Sequence, residues 1–248
     1  MNKEYNEIDL KKQANIIRQD VIKMLAKAGS GHPAGALGSA DIMTALYFNI
    51  LNHDAKKPFW DKRDRLILSN GHEVPVRYAA LARAGYFPVA KLKTLRKFGS
   101  PLQGHPSLID FPLMECSSGP LGQGISVAVG MALAAKHHLN NLTVIVDRNN
   151  IQIDGKTDEV LPLEPLKDKL KAFGFQALTI DGHSFKQIIK ACEKAKTNNQ
   201  KPTAIIAKTI PGKGVSFIEG KHEWHGKAPK PEEAEKALEE LNKELESL

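Results

Sequence analysis

Four histidines, His32, His72, His105 and His225, lie in loops rich in glycine or proline. Imidazole titrates near neutrality, so a cluster of such side chains can move protons and hydrogen-bond hydroxyl groups. One histidine alone is more often structural; four in loops that a single sheet could gather are the first candidates for chemistry. His53, His137, His138, His183 and His222 read as structural. A second candidate is the stretch from Cys116 to Gly155. It opens with a turn in which Gly119, Gly122 and Gly124 flank Pro120, Leu121 and Gln123. Glycines there let a backbone approach a ligand, and the helix that follows offers free amide hydrogens to an anion.

The elements that must position these groups follow from periodicity. The small-residue segment after Gly124 predicts a helix to about residue 138, and residues 142–146 a strand buried on both faces. Asp147, Arg148, Asn149 and Asn150 then stand at a strand's carboxyl end, where open α/β sheets bind ligands. Leu10, Ala14, Ile17, Val21, Met24, Leu25 and Ala28 recur at helical spacing, and Gly29 ends that helix. Residues 30–38 read as a loop and Ser39 as the N-cap of a helix to Leu51. Residues 65–69, RLILS, read as a buried strand, Pro75 as the first turn of a helix to Ala84, and residues 89–98 as an exposed basic helix. Further on come a helix (165–173), a strand (175–180), a helix capped by Ser184, a strand (203–208) and a charged amphipathic helix from about 230. Strands alternating with helices predict an α/β fold, a three-layer sandwich whose mostly parallel sheet carries helices on both faces, in one domain spanning 1–248.

Composition excludes several classes. The chain of 248 residues is 42% hydrophobic and 25% charged, with no apolar run long enough to span a membrane. Its first residues lack the apolar core of a signal peptide, so the cytoplasm is the expected location. The net charge of +7 suggests an anionic partner, but lysines such as Lys91, Lys93, Lys97, Lys167, Lys169 and Lys171 read as solvated helix faces. No basic run is interleaved with aromatics, which argues against nucleic acid. Cys116 and Cys192 lack metal-ligand spacing and read as inert. No HExxH-like spacing supports a metal hydrolase.

SSGPLGQG followed by VDRNNIQIDG resembles the cofactor-binding half of transketolases. So do GSGHPAGALGSADI (29–42), LSNGHEVPVRYAAL (68–81), GHPS (from 104) and EWHGKAP (from 223). The resemblance covers nearly the whole chain and implies the N-terminal subunit of a split transketolase. Such a subunit takes part in thiamine-diphosphate-dependent transfer of a two-carbon ketol unit between sugar phosphates. It implies a homodimer of this chain and a separate C-terminal, pyrimidine-binding subunit that supplies the activating glutamate, so this chain alone should be inactive. It implies catalytic roles for His32, His72, His105 and His225, and a cofactor turn at Gly119, Pro120 and Leu121. Asn149 matches a position that contacts both cofactor and metal, and the Ile151 carbonyl matches a second Mg2+ ligand.

One departure bears on all of this. The family's metal motif opens with Gly-Asp-Gly after a strand, and this chain has no such triplet; its Asp-Gly pairs are Asp154-Gly155 and Asp181-Gly182. Lys136 runs directly into His137-His138-Leu139, so one strand–loop–helix unit of the thiamine-diphosphate-binding fold is expected to be missing, with the aspartate ligand. A missing strand should expose an edge on residues 142–146. Thiamine diphosphate and Mg2+ are then expected to bind weakly or not at all. The alternative reading is a non-catalytic, transketolase-like binding or scaffold protein.

Overall fold

The computed structural model describes residues 5–136 and 139–248. Its first helix, α1 (Glu7–Ala28), begins with a capping box: Asn6 accepts from the Asp9 amide at 2.9 Å, and Asp9 accepts from the Asn6 amide at 3.2 Å. Glu7 and Asp9 also favour the positive end of the helix dipole. The helix stops at Gly29, whose φ of 71° places it in the left-handed region that glycine adopts without strain. Its apolar stripe is buried from Leu10 to Leu25, and it packs against most of the N-terminal half.

After it come α2 (Pro33–Gly38), α3 (Ala40–Ala45), a single π-turn (Leu46–Ile50) and α4 (Val74–Arg83), with Pro75 in the first turn as expected. The expected loop at 30–38 therefore contains a helix. Ser39 does not cap α3 with its side chain. Its hydroxyl donates instead to the Gly35 carbonyl and also hydrogen-bonds Glu73 Oε2, both at 2.9 Å. Residues 89–98 form only a 3-10 segment, Val89–Thr94, with Leu92 and Leu95 buried.

The expected strand at 65–69 is absent. No element pairs with it among the described residues, and the Leu68 carbonyl accepts from the Ser118 hydroxyl at 2.7 Å instead. β character needs a neighbouring strand to become a ladder.

The remaining elements are α5 (Gln123–Lys136), β1 (Thr143–Arg148), a hairpin of β2 (Ile151–Gln152) and β3 (Gly155–Lys156), α6 (Thr157–Val160), α7 (Leu166–Ala172), β4 (Gln176–Asp181), α8 (Phe185–Thr197), β5 (Thr203–Lys208) and α9 (Pro231–Ser247). The join between α5 and β1 through His137 and His138 lies outside the described residues. β1, β5 and β4 form a parallel sheet in that order, with Thr143 and Gln176 both in register with Thr203. Parallel strands joined by helices, with helices around the sheet, are the expected α/β class. Ser184 caps α8 by accepting from the Gln187 amide, as its position predicted. α9 lays Ala234, Ala237 and Leu241 against α1, and Asn15 Nδ2 donates to the Leu241 carbonyl at 2.9 Å.

Candidate functional site

The four loop histidines converge. His32 precedes α2, His72 sits in the 3-10 turn Gly71–Glu73 before α4, His105 in the loop after residue 100, and His225 just past the turn His222–Trp224. The His32 ring lies 5.0 Å from that of His72, 5.5 Å from His225 and 6.5 Å from His105, and His72 and His225 are 5.1 Å apart. Burial and the neighbouring imidazoles push the pKa of both His32 and His72 down to about 4. Burial also lowers His105 and His225. At neutral pH the group is therefore a set of uncharged imidazoles, each able to donate one hydrogen bond and accept another. His32 Nδ1 is buried and has no hydrogen-bond partner among the described residues.

The glycine turn lies against the same wall. A Cβ on Gly71 would come within 2.7 Å of the Ser118 carbonyl oxygen, and one on Gly124 within 2.7 Å of Ser69 Cα, so only glycine permits this approach. A Cβ on Gly119 would sit 4.0 Å from the His105 ring. Pro120 and Leu121 are exposed.

The strand end is arranged differently. Asp147 accepts from the Thr209 hydroxyl and, at 3.1 Å, from Asn149 Nδ2. Asn149 Oδ1 accepts from the Ile151 amide at 3.1 Å, closing a turn. Arg148, buried, ties this end down by donating to the Thr157 hydroxyl at 2.9 Å and Glu164 at 3.3 Å. Glu73, fully buried beside Ser39, meets Asp147. Burial and that neighbour push its pKa up to about 8, so it is a neutral acid at pH 7. Asp147 is raised as well, chiefly by burial.

Glu73 and Arg96 are the site residues that pattern reading missed. Glu73 was legible as an acid between His72 and the apolar start of α4. Arg96 sits at φ 57°, against Gly104, where its charge lowers His32 and His105; the run 89–98 had disguised it as one more surface cation. His183, read from the sequence as structural, pairs Nδ1 with Asp41 at 2.6 Å, and its Nε2 accepts from the Ile210 amide at 2.8 Å.

A parallel α/β domain that gathers four loop histidines beside a glycine turn defines a candidate ligand-binding domain. Comparison with known proteins narrows the class. The family described as transketolase, thiamine diphosphate binding domain, matches residues 10–138 and 131–246. The chain is 40% identical over 269 aligned positions to the 6-deoxy-6-sulfo-D-fructose transketolase subunit of Clostridium sp. (strain MSTE9), covering 96% of this chain and 98% of that one. It is 36% identical to an apulose-4-phosphate transketolase subunit of Phocaeicola vulgatus, covering 97% and 96%. The transketolase structure of Campylobacter jejuni superposes with a TM-score of 0.88 at 34% identity, and the chain spans 43% of its length. This chain belongs to the transketolase N-terminal family.

The metal side of the family's site does not fit the residues present. Mg2+ requires a near-octahedral set of oxygens and favours carboxylate charge. Asn149 spends its amide on Asp147 and on the Ile151 amide, and Ile151 offers only a neutral carbonyl. The Asp147 carboxyl is engaged by Thr209 and Asn149. Asp154 is exposed at the hairpin tip. Among the described residues no group of three or more histidine, cysteine, aspartate or glutamate side chains is placed to hold a metal ion.

Proposed function

We propose that the chain is the N-terminal subunit of a two-chain transketolase, contributing a hydroxyl-binding, proton-moving wall to a site that a C-terminal pyrimidine-binding subunit completes. The observation that carries this reading is the convergence of His32, His72, His105 and His225 as neutral imidazoles. Such a wall suits polyhydroxylated substrates: each imidazole can hold one hydroxyl and pass its proton, without the charge that would attract bulk anions. The substrates are ketoses carrying a terminal anionic group, in keeping with the names of the two subunit relatives. Gly119, Pro120 and Leu121 would lie beneath a bound thiamine diphosphate. Residues 1–248 form one domain, which pairs with a second copy through the apolar face of α5, where Met131 and Leu133 are exposed. No helix among the described residues is long and apolar enough to cross a membrane, and the cytoplasm is the proposed location.

A second reading, a transketolase-like binding or scaffold protein without turnover, is favoured by the closed Asn149 turn and the unfitted metal site. Ketol transfer should be assayed for the chain alone, the chain with a purified C-terminal subunit, and the same complex carrying His72→Asn. Turnover only in the wild-type complex, reduced roughly 10²-fold or more by the substitution, supports the enzyme reading. A stable complex with no turnover supports the second. Turnover by the chain alone contradicts both.

A further inference from the structure

Arg77, in the middle of α4, is the largest of the fully buried side chains, at 2% exposure. Its surroundings give that charge little. Among the described residues its one side-chain hydrogen bond runs from Nε to the Tyr47 hydroxyl oxygen, at a long 3.3 Å, and it forms no ion pair. The carboxylate of Glu115, on the segment that leads into the glycine turn, is taken by Arg63 and approached by Arg65 instead. A guanidinium keeps its charge when buried, and a buried charge without a counter-charge is costly.

Arg77 lines a cavity of about 30 Å³ between α4, the π-turn and the Glu115 segment, which is room for one water-sized guest. Arg63 lines it as well. Its terminal nitrogens hold Glu115, Nη2 at 3.1 Å from Oε2, while its Nε is buried with no partner among the described residues. Asp64 is on the rim, exposed, and its carboxylate accepts from the Asn52 amide at 2.7 Å. His53 Nε2 lies 2.7 Å from the Tyr47 carbonyl, which can only accept, so this nitrogen donates; in the neutral ring Nδ1 then accepts from the Tyr86 hydroxyl at 2.9 Å. The Tyr47 hydroxyl oxygen accepts from Arg77, which leaves its own proton free to donate. The polar groups left over on these walls are therefore donors: the Arg77 terminal N–H groups, Arg63 Nε–H and Tyr47 O–H.

Those leftovers select the guest. A cation is repelled by Arg77. A water would have its lone pairs served and its two protons left facing donors. A small anion satisfies the donors and supplies the missing counter-charge. We propose that this cavity is a binding site for one small monovalent anion of the halide class, held by Arg77 with Arg63 and Tyr47. The ion ties α4, whose first turns follow His72 and Glu73, to the segment that enters the glycine turn. The cavity is too small for a sugar phosphate or a diphosphate, and none of its lining residues belongs to the histidine cluster. The site therefore stands whether or not the chain supports turnover.

Thermal unfolding of the full-length protein tests it, in sodium chloride, sodium bromide and sodium gluconate at one ionic strength of about 0.1 M, so that screening of the surface charges is the same. Gluconate is too large to enter. The midpoint should stand at least about 3 °C higher in either halide than in gluconate, the shift expected of a ligand at about ten times its dissociation constant. Arg77→Met keeps an unbranched side chain and removes the charge, so its midpoint should be the same in all three salts. Equal wild-type midpoints in halide and gluconate, or a halide shift that survives in Arg77→Met, would overturn the proposal. Should that variant fail to fold, wild-type crystals grown in bromide decide the matter. Anomalous scattering from a bromide ion beside Arg77 is the expected result, and a cavity without it would overturn the proposal.

Discussion

α1 and α5 are both long helices with much apolar surface, and they meet opposite fates. α1 has an apolar stripe with polar residues opposite, and α3, α4 and α9 cover that stripe, so Leu10, Ile17, Val21 and Leu25 are 1% exposed or less. α5 is apolar nearly all round, and Met131 and Leu133 remain 37% and 44% exposed. A helix hydrophobic on every side needs neighbours on every side. The difference continues into function. His32 and His72 hang from the well-packed half, at the starts of α2 and α4, and His105 and His225 reach them from loops. The strand-end turn at Asn149 hangs from the half with the uncovered helix, and among the described residues no group of three or more histidine, cysteine, aspartate or glutamate side chains is placed to hold a metal.

The largest effect that sharpens this contrast is a cavity on each helix. Leu25→Ala should lose about 2–5 kcal/mol of stability in denaturant titration, the usual range for a buried leucine. Met131→Ala should change stability by no more than about 0.5 kcal/mol at concentrations too low for the proposed dimer to form, as for an exposed position. Equal losses would mean that α5 is covered in solution.

The site itself gives opposite pH dependences at its two ends. Glu73, raised to about 8, keeps a proton in the folded protein that the unfolded chain releases near 4.5. Its contribution is full below pH 4.5 and is lost as pH rises through 8, at up to about 1.4 kcal/mol per pH unit. Thermal midpoints measured from pH 6 to 9 should fall for the wild type and much less for Glu73→Gln, which keeps the shape and can still hydrogen-bond Ser39. His32 and His72 are lowered to about 4, so between pH 6.5 and 4 the unfolded chain holds protons that the folded one does not. Stability should therefore fall as pH drops through that window. The double variant His32→Gln, His72→Gln should flatten the fall by a smaller amount, because both rings are partly solvated. A slope unchanged by that variant would place the rings in water.

Much of this was readable from residue order. The α/β class, the Gly29 stop, the Ser184 cap and the four histidine loops follow from local rules, which act within a few residues. What was misread depends on distant partners. Residues 65–69 have the composition of a strand, but no neighbour completes the ladder. The Ser39 hydroxyl fits a helix cap, but the Gly35 carbonyl and the Glu73 carboxyl take it. Arg96 lies in a run of lysines, and only the return of the chain to His105 gives its charge a target.

We propose that this chain brings four histidines together and that, alone, it lacks the residues to hold the metal of the cofactor site. Calorimetric titration of thiamine diphosphate with Mg2+ tests it directly, using the chain with and without its C-terminal partner and an intact family member as control. The account predicts no stoichiometric heat at micromolar concentrations for this chain alone, only a weak, salt-sensitive association with its basic surface, and in the complex a binding that does not depend on Asn149. Tight one-to-one binding that disappears in Asn149→Ala would show a metal site rebuilt around Asn149, and would contradict it.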